Sequence, residues 1–383
     1  MNYDELALEL HKKYGGKITI ALRDTELDAT KLAAYYTPGV AAVSRRLAEH
    51  PEEMPVYTWT NNLVAVISDG SAVLGLGNIG PRAAMPVMEG KALLFKKFAG
   101  VDAVPIVLDA HDVDGIVAAV TAIAPSFGAI NLEDIAAPQC FEIEDRLKAA
   151  LPIPVMHDDQ HGTAIVVLAG LINALKVTGR HSLGGIRIVV VGAGAAGTAI
   201  MRLLWLYGVR NGATPEILAV DSHGIVSADR TDLNDEKRKL LEFTNPHSVS
   251  GSLADAVAGA DAFVGVSKGS LLTPELVATM ADAPIVFALA NPTPEILPDV
   301  AAGTKIAVLA TGRSDFPNQV NNALAFPGVF RGALDHHVRA ITDDHKLAAA
   351  AAIAALVETP DAAHVIPSVF DERLVKAVAA VII

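Results

Sequence analysis

Short apolar runs alternate with helical patterns from about residue 60 onward. Valine, isoleucine, leucine and alanine crowd positions 63–68, 104–109, 129–132 and 154–157. Each run is too short for a helix and is followed by polar turn residues, so buried strands are expected there. Over 163–177 the chain becomes a long apolar helix, and Thr178-Gly179 with Gly184-Gly185 supplies its stop and a linker. A second series follows, with segments at 186–191, 195–207, 217–221, 262–266, 273–280, 285–290 and 306–310. Such alternation predicts an α/β fold with parallel sheets covered by helices. From about residue 326 the pattern is helical to the last residue. We expect an N-terminal α/β domain at 1–160, a second α/β domain at 161–330, and helices at 331–383 that pack back on the first.

Several expected strands end in polar residues: Ser68-Asp69-Gly70, Asp109, Glu133-Asp134 and Asp158-Asp159. Ligands of open α/β sheets gather beyond the carboxyl ends of the strands, so this set is informative although each acid alone could cap a helix.

Composition narrows the function classes. With 383 residues, 51% of them hydrophobic and 19% charged, the chain can bury two cores. A net charge of −13 argues against nucleic acid or an anionic membrane as partner. Cys140 is the only cysteine, which excludes an intrachain disulfide, favours a reducing compartment and reads as a small core residue. The first ten residues read as a helix and not a signal peptide, and the apolar stretch at 347–357 is about half a membrane span. A soluble, cytoplasmic protein is the expectation.

The β-branched run at 186–191 leads directly into Gly192-Ala193-Gly194-Ala195-Ala196-Gly197 and then a helical stretch. This is G-x-G-x-x-G between strand and helix. The first glycine permits the tight turn, the second lets backbone approach a pyrophosphate, and the third lets helix and strand pack closely. The helix start adds unpaired N–H groups for the phosphates. Asp221 closes the next strand, 24 residues after Gly197, where a carboxylate can accept hydrogen bonds from the adenosine ribose. Its charge leans the cofactor towards NAD. NADP stays open, because a protonated His223 could tolerate the extra phosphate, though His223 also reads as an exposed turn residue.

A second set lies in the first half. Tyr36 sits at the Pro-Gly break of Tyr35-Tyr36-Thr37-Pro38-Gly39, and Lys91 follows Met88-Glu89-Gly90. Then come Asn131-Leu132-Glu133-Asp134 and His157-Asp158-Asp159-Gln160-His161-Gly162. Alone, each reads as a packed tyrosine, a surface lysine or capping acids. Together, the strings YYTPGV, SDGSAVLGLGNIG, MEGKALLFK, NLEDI, HDDQHGTA, VVVGAGAAG, ANPTPE and NNALAFPG resemble the malic enzymes, in order along most of the chain. The wording resembles the shorter bacterial form, without an appended acyltransferase-like domain.

The resemblance implies oxidative decarboxylation of L-malate to pyruvate and CO2 with NAD or NADP and Mg2+ or Mn2+. By motif it implies that Tyr36 and Lys91 are an acid–base pair, with Asp158 the carboxylate beside the lysine. Glu133, Asp134 and Asp159 match metal ligands, Asn291 matches a residue touching substrate or nicotinamide, and Asn321 a substrate residue. Three carboxylates suit a hard divalent cation, and His157 and His161 read as packing or supporting residues. Lys91 must be neutral to accept a hydroxyl proton; burial pushes its pKa down and Asp158 pushes it up. One departure is Ala72, where larger family members carry an arginine for a substrate carboxylate; Arg82 is a candidate replacement. A homodimer is implied, with Tyr36 acting in the neighbouring subunit. Two alternatives stay open: a relative without net redox, malolactic or oxaloacetate-decarboxylating, and a catalytically silent nucleotide-binding regulator.

Overall fold

The computed structural model describes residues 3–73 and 75–383. Leu74 of the SDGSAVLGLGNIG string, and Met1 and Asn2 of the expected first helix, lie outside the described residues. The first sheet is all parallel: β1 (Leu63–Ser68), β2 (Asp102–Val107), β3 (Ala129–Leu132) and β4 (Val155–His157), in the order β2-β1-β3-β4. The second contains β5 (Arg187–Val191), β6 (Glu216–Asp221), β7 (Gly224–Ile225), β8 (Ala262–Gly265), β9 (Ile285–Ala288) and β10 (Val308–Thr311). Its order is β10-β9-β8-β5-β6-β7, and only β7 runs antiparallel.

Both sheets reverse their winding beside their first strand, between β1 and β3 and between β5 and β8. Those switch points open crevices at the carboxyl ends. β2 begins at Asp102 rather than at 104 as expected, and it carries Pro105. It is an edge strand bonded only to β1, so a residue without an N–H costs the sheet little.

The helix Asp158–Val177 is the spine between the sheets. One buried cluster runs from Val64 and Val66 of β1 through Ile165, Leu168 and Leu171 to Ile188 and Val190 of β5. By length and composition this helix could cross a membrane, but 72% of its apolar window is buried inside the fold. It starts five residues before the expected 163, so Asp158 and Asp159 form its first turn, where the positive end of the helix favours acids.

The C-terminal helices close the back of both sheets. Phe326 and Phe330 of the helix Phe326–Asp335 meet the ring of Phe95 edge-on at 4.7 and 5.3 Å. Asn173 of the spine donates to the carbonyls of Ala354 and Val365, 2.9 and 3.1 Å away. At the other extreme, residues 3–59 carry the helices Tyr3–Tyr14, Ala29–Tyr35 and Val40–Glu49 without one buried residue. Leu8, Ile20, Leu22, Leu27, Tyr35 and Tyr36 are all exposed on this arm.

Candidate active site

Two loops at the carboxyl end of the first sheet supply the acids. Glu133 and Asp134 follow β3, with the Glu133 amide still donating to Ile67 O at 2.8 Å. Asp134 takes a left-handed conformation, φ 53°, which a short polar side chain tolerates better than most. The loop after β1 braces it: the Ala72 amide donates to Asp134 O at 3.0 Å and Ser71 Oγ accepts from the Ala136 amide at 2.9 Å. Asp158 and Asp159 follow β4 on the first turn of the spine helix.

Lys91 reaches this corner from the helix Gly80–Ala99 and is only 7% exposed. Its Nζ lies 2.6 Å from Asp158 Oδ2 and 2.7 Å from Glu133 Oε1, with the ring of Phe326 4.2 Å away on a cation–π contact. Asn131 Nδ2 holds the other Glu133 oxygen at 2.8 Å. The Asp134 amide donates to Asp159 Oδ2 at 2.7 Å. Burial alone would lower the Lys91 pKa, but Asp158 and Glu133 against it, with Asp159 nearby, raise it above its ordinary value. Burial pushes Asp158 up to about 7 and Asp159 up to about 6, against the pull of Lys91. The two pressures on the lysine expected from sequence are both present, and the carboxylates win.

Glu133 and Asp158 hold one ammonium, Asp159 lies near it with Asp134 bonded to Asp159 through its amide, and Asp158 Oδ1 is buried with no hydrogen-bond partner. An all-oxygen donor set with surplus negative charge fits a hard divalent cation. The carboxylates of Glu133, Asp134 and Asp159 do not converge to within 4.8 Å of one another. Glu133 is turned to Lys91 and Asp159 to a backbone amide, and like charges at this density keep apart. Gly162 shapes the corner too: a Cβ there would stand 1.9 Å from Asp158 Oδ1.

Beneath the acids lies a buried carboxylate that the motifs did not single out. Glu144, on the helix Gln139–Ala150, accepts from the His157 amide and His161 Nε2, each at 2.9 Å, and from Lys148 Nζ at 2.7 Å. Burial pushes its pKa up, but His161 and Lys148 hold it well below the usual carboxylate range. Cys140, on the same helix face, is a buried core thiol pushed up to about 12 by burial and by Glu144.

At the second crevice, Gly192 has φ +116° and Gly197 packs so closely that a Cβ would lie 1.7 Å from Gly192 O. Gly194 faces open space, with nothing within 4 Å of a Cβ, and the helix Ala195–Arg210 starts directly behind it. Ala193, Ala195 and Ala196 are half-buried against the core. This is a cradle open to a pyrophosphate. Asp221 ends β6 as expected but is not a free carboxylate. Arg230 grips it at 2.8 and 3.1 Å, Lys237 at 2.6 Å, and the His223 amide at 2.8 Å. The ring of His223 is exposed and turns towards Asp232, 3.6 Å away.

Two family descriptions match in tandem: malic enzyme, N-terminal domain, over residues 17–148, and malic enzyme, NAD binding domain, over 160–383. The bifunctional malic/malolactic enzyme of Bacillus subtilis is 52% identical over 382 residues, covering 99% of this chain and 92% of that one. The NAD-dependent malic enzyme of Geobacillus stearothermophilus is 54% identical over 366 residues, 95% of this chain and 75% of that one. The crystal structure of the NAD-dependent malic enzyme from Thermotoga maritima superposes with a TM-score of 0.93 at 47% identity, covering 98% of each chain.

The chain belongs to the malic enzyme family.

In this malic enzyme the structure gathers Lys91, Glu133, Asp134, Asp158 and Asp159 into one corner, with Phe326 of the NNALAFPG string as its wall. Asn321 of that string caps the short turn Asn322–Leu324, accepting from the Ala323 amide at 2.8 Å. Asn291 lies beyond β9 against Gly75 and Gly312; a Cβ at Gly75 would be 3.3 Å from Asn291 O, so the glycine loop of the first half reaches the second sheet. Tyr36 is not among the groups bonded to Lys91, and it stands 71% exposed on the N-terminal arm. Arg82 is exposed at the start of its helix, and Ala72 serves the acid loop through its amide.

Proposed function

We propose that this malic enzyme carries out oxidative decarboxylation of L-malate to pyruvate and CO2, with Lys91 as the base. The observation that carries the assignment is a buried ammonium held between Asp158 and Glu133, beside Asp159, at the carboxyl ends of parallel strands. Glu133, Asp134 and Asp159 would hold the divalent cation, which supplies Lewis-acid polarisation of the substrate's C2 oxygen. A nicotinamide dinucleotide would be held by its pyrophosphate at Gly192–Gly197, with Asn291 towards its nicotinamide side, and would supply the acceptor for the hydride from C2.

A divalent cation taking up the charge of Glu133 and Asp159 would remove part of what holds Lys91 protonated; neutral, Lys91 would take the C2 hydroxyl proton at Nζ, aimed by Asp158 through the 2.6 Å contact. Loss of hydride leaves a 2-keto acid with a carboxylate on C3; breaking that C3–C4 bond releases CO2 and leaves the enolate of pyruvate, which protonated Lys91 converts to the enol. The Tyr36 hydroxyl donates the proton to C3, and the enol proton returns through Lys91. Asn321 and backbone amides orient the carboxylates. Formation of reduced nicotinamide from malate with Mn2+, followed by absorbance with NAD and NADP in turn, tests the assignment. We expect Lys91→Ala and Asp159→Asn to abolish it. The Bacillus subtilis relative also carries a malolactic name, so lactate is followed in the same assay; malate loss with lactate and no net reduced cofactor would favour that chemistry.

The arm at 3–59 supports a homodimer. A stretch of this length with no buried residue and many exposed apolar side chains needs a second copy to cover it. We propose that the arm carries Tyr36 to the partner's lysine. Mixing Tyr36→Phe and Lys91→Ala subunits should restore part of the activity after exchange; none regained would refute delivery between subunits. A cytoplasmic location accords with the single buried thiol.

A further inference from the structure

Glu144, like Glu295 and Lys346, is a buried charged group that the proposed chemistry leaves without a task, and it is the one of the three bonded to the segment that carries Asp158 and Asp159. Its two oxygens face opposite flanks of the acid pair. Oε1 accepts from the His157 amide, the residue immediately before Asp158, and Oε2 accepts from His161, half a turn beyond Asp159. Its own helix begins a few residues after Glu133–Asp134, so one carboxylate ties the element following the first pair of acids to the turn that presents the second. The pairs are also joined directly, by the hydrogen bond from the Asp134 amide to Asp159 and by the Lys91 ammonium between Glu133 and Asp158.

A buried carboxylate is costly unless every lone pair has a use, and apolar side chains would hold two helices together at less cost. What a carboxylate adds is direction: charge-assisted bonds to an amide and a ring fix angle as well as distance. We propose that Glu144 is a positioning residue for the cation site, setting the spacing between the Glu133–Asp134 loop and the Asp158–Asp159 turn. The inference rests on the reading of Asp159 as a metal ligand given above.

The test uses the full-length protein and measures Mn2+ binding directly, from the paramagnetic resonance signal of the free ion, alongside NADH binding by fluorescence. Outer partners of metal ligands are worth about 10–100-fold in affinity. Glu144→Gln should therefore weaken Mn2+ by about that range. His161→Ala, which removes one donor and keeps the carboxylate, should weaken it by less, and NADH affinity should stay unchanged in both. Glu144→Asp should recover part of the loss.

Wild-type Mn2+ affinity in both variants, with binding lost in Asp159→Asn, overturns the positioning role. Equal losses of Mn2+ and NADH affinity also overturn it, because they mark general loosening of the fold. Wild-type affinity in Asp159→Asn strikes the ligand reading itself, and this inference falls with it. If Glu144→Gln does not fold, His161→Ala decides alone.

Discussion

Replacing Lys237 by alanine should turn this enzyme towards NAD. Asp221 stands where a carboxylate would meet the adenosine ribose and repel the extra phosphate of NADP, but Arg230 and Lys237 cover both its oxygens. Counting Asp221 and Asp232 against Arg230 and Lys237, the corner carries two negative and two positive charges, so the formal sum is zero. Removing Lys237 takes one positive charge from the phosphate side and leaves Asp221 Oδ2 with Arg230 alone, at 3.1 Å. A unit charge about 4–5 Å away contributes about 1 kcal/mol in water and about 4 where the effective dielectric is near 20. The Lys237 side chain is 26% exposed, so the lower half of that range applies. About 1–2 kcal/mol corresponds to roughly 5- to 30-fold in the ratio of kcat/KM for NAD to that for NADP. Steady-state kinetics with both cofactors at low salt measure it, and the change should shrink as salt is raised. A ratio that stays put, or moves towards NADP, would show that Lys237 does not face the phosphate and that Asp221 governs the choice alone.

Gly162→Ala should cost activity far more than stability. Its Cβ would overlap Asp158 Oδ1 at 1.9 Å and force the carboxylate away from Lys91, so we expect at least a tenfold loss of kcat for an overpacking cost of about 1–3 kcal/mol; wild-type kcat with a normal melting curve would refute the geometry. The pH dependence of folding offers a separate check at Asp221. Its pKa is depressed from 3.8, burial being outweighed by Arg230 and Lys237, so its stabilisation is complete above the unfolded value and lost as pH falls through the folded one. Urea midpoints for wild type and Asp221→Asn should therefore differ at neutral pH and converge in acid below about pH 4; a constant gap would refute the assignment.

The periodicity of the chain was sufficient for the strands because their environment is simple. β1 and β3 are buried along their whole length, and their residues are correspondingly apolar. Boundaries went astray where a charge or a proline obscured the pattern. The spine helix begins at Asp158 because acids favour a helix start, although acids also end strands. Within the site, the acids were legible as strings, but their partners depend on contacts distant in sequence. The contact of Phe326 with Lys91 spans most of the chain, and nothing local announces it. Glu144 did leave a trace. Cys140, Ile143, Glu144 and Leu147 share one face of their helix, so an acid falls on an apolar stripe, which is where a structural carboxylate stands out from a solvated one. Asp221 is the opposite case: its position was clear, while the two cations that neutralise it come from 9 and 16 residues further on.

The wall behind Lys91 is held up from an unexpected direction. Gly332 lets the helix Leu374–Ala379 come so near that a Cβ there would lie 2.5 Å from Ala379 O, and His336 bonds the carbonyl of the fully buried Ile382 at 2.7 Å. That contact clamps the far end of the helix whose first residue is Phe326. Whatever unseats residues 380–383 is therefore felt at the lysine as well, through the helix that carries Phe326.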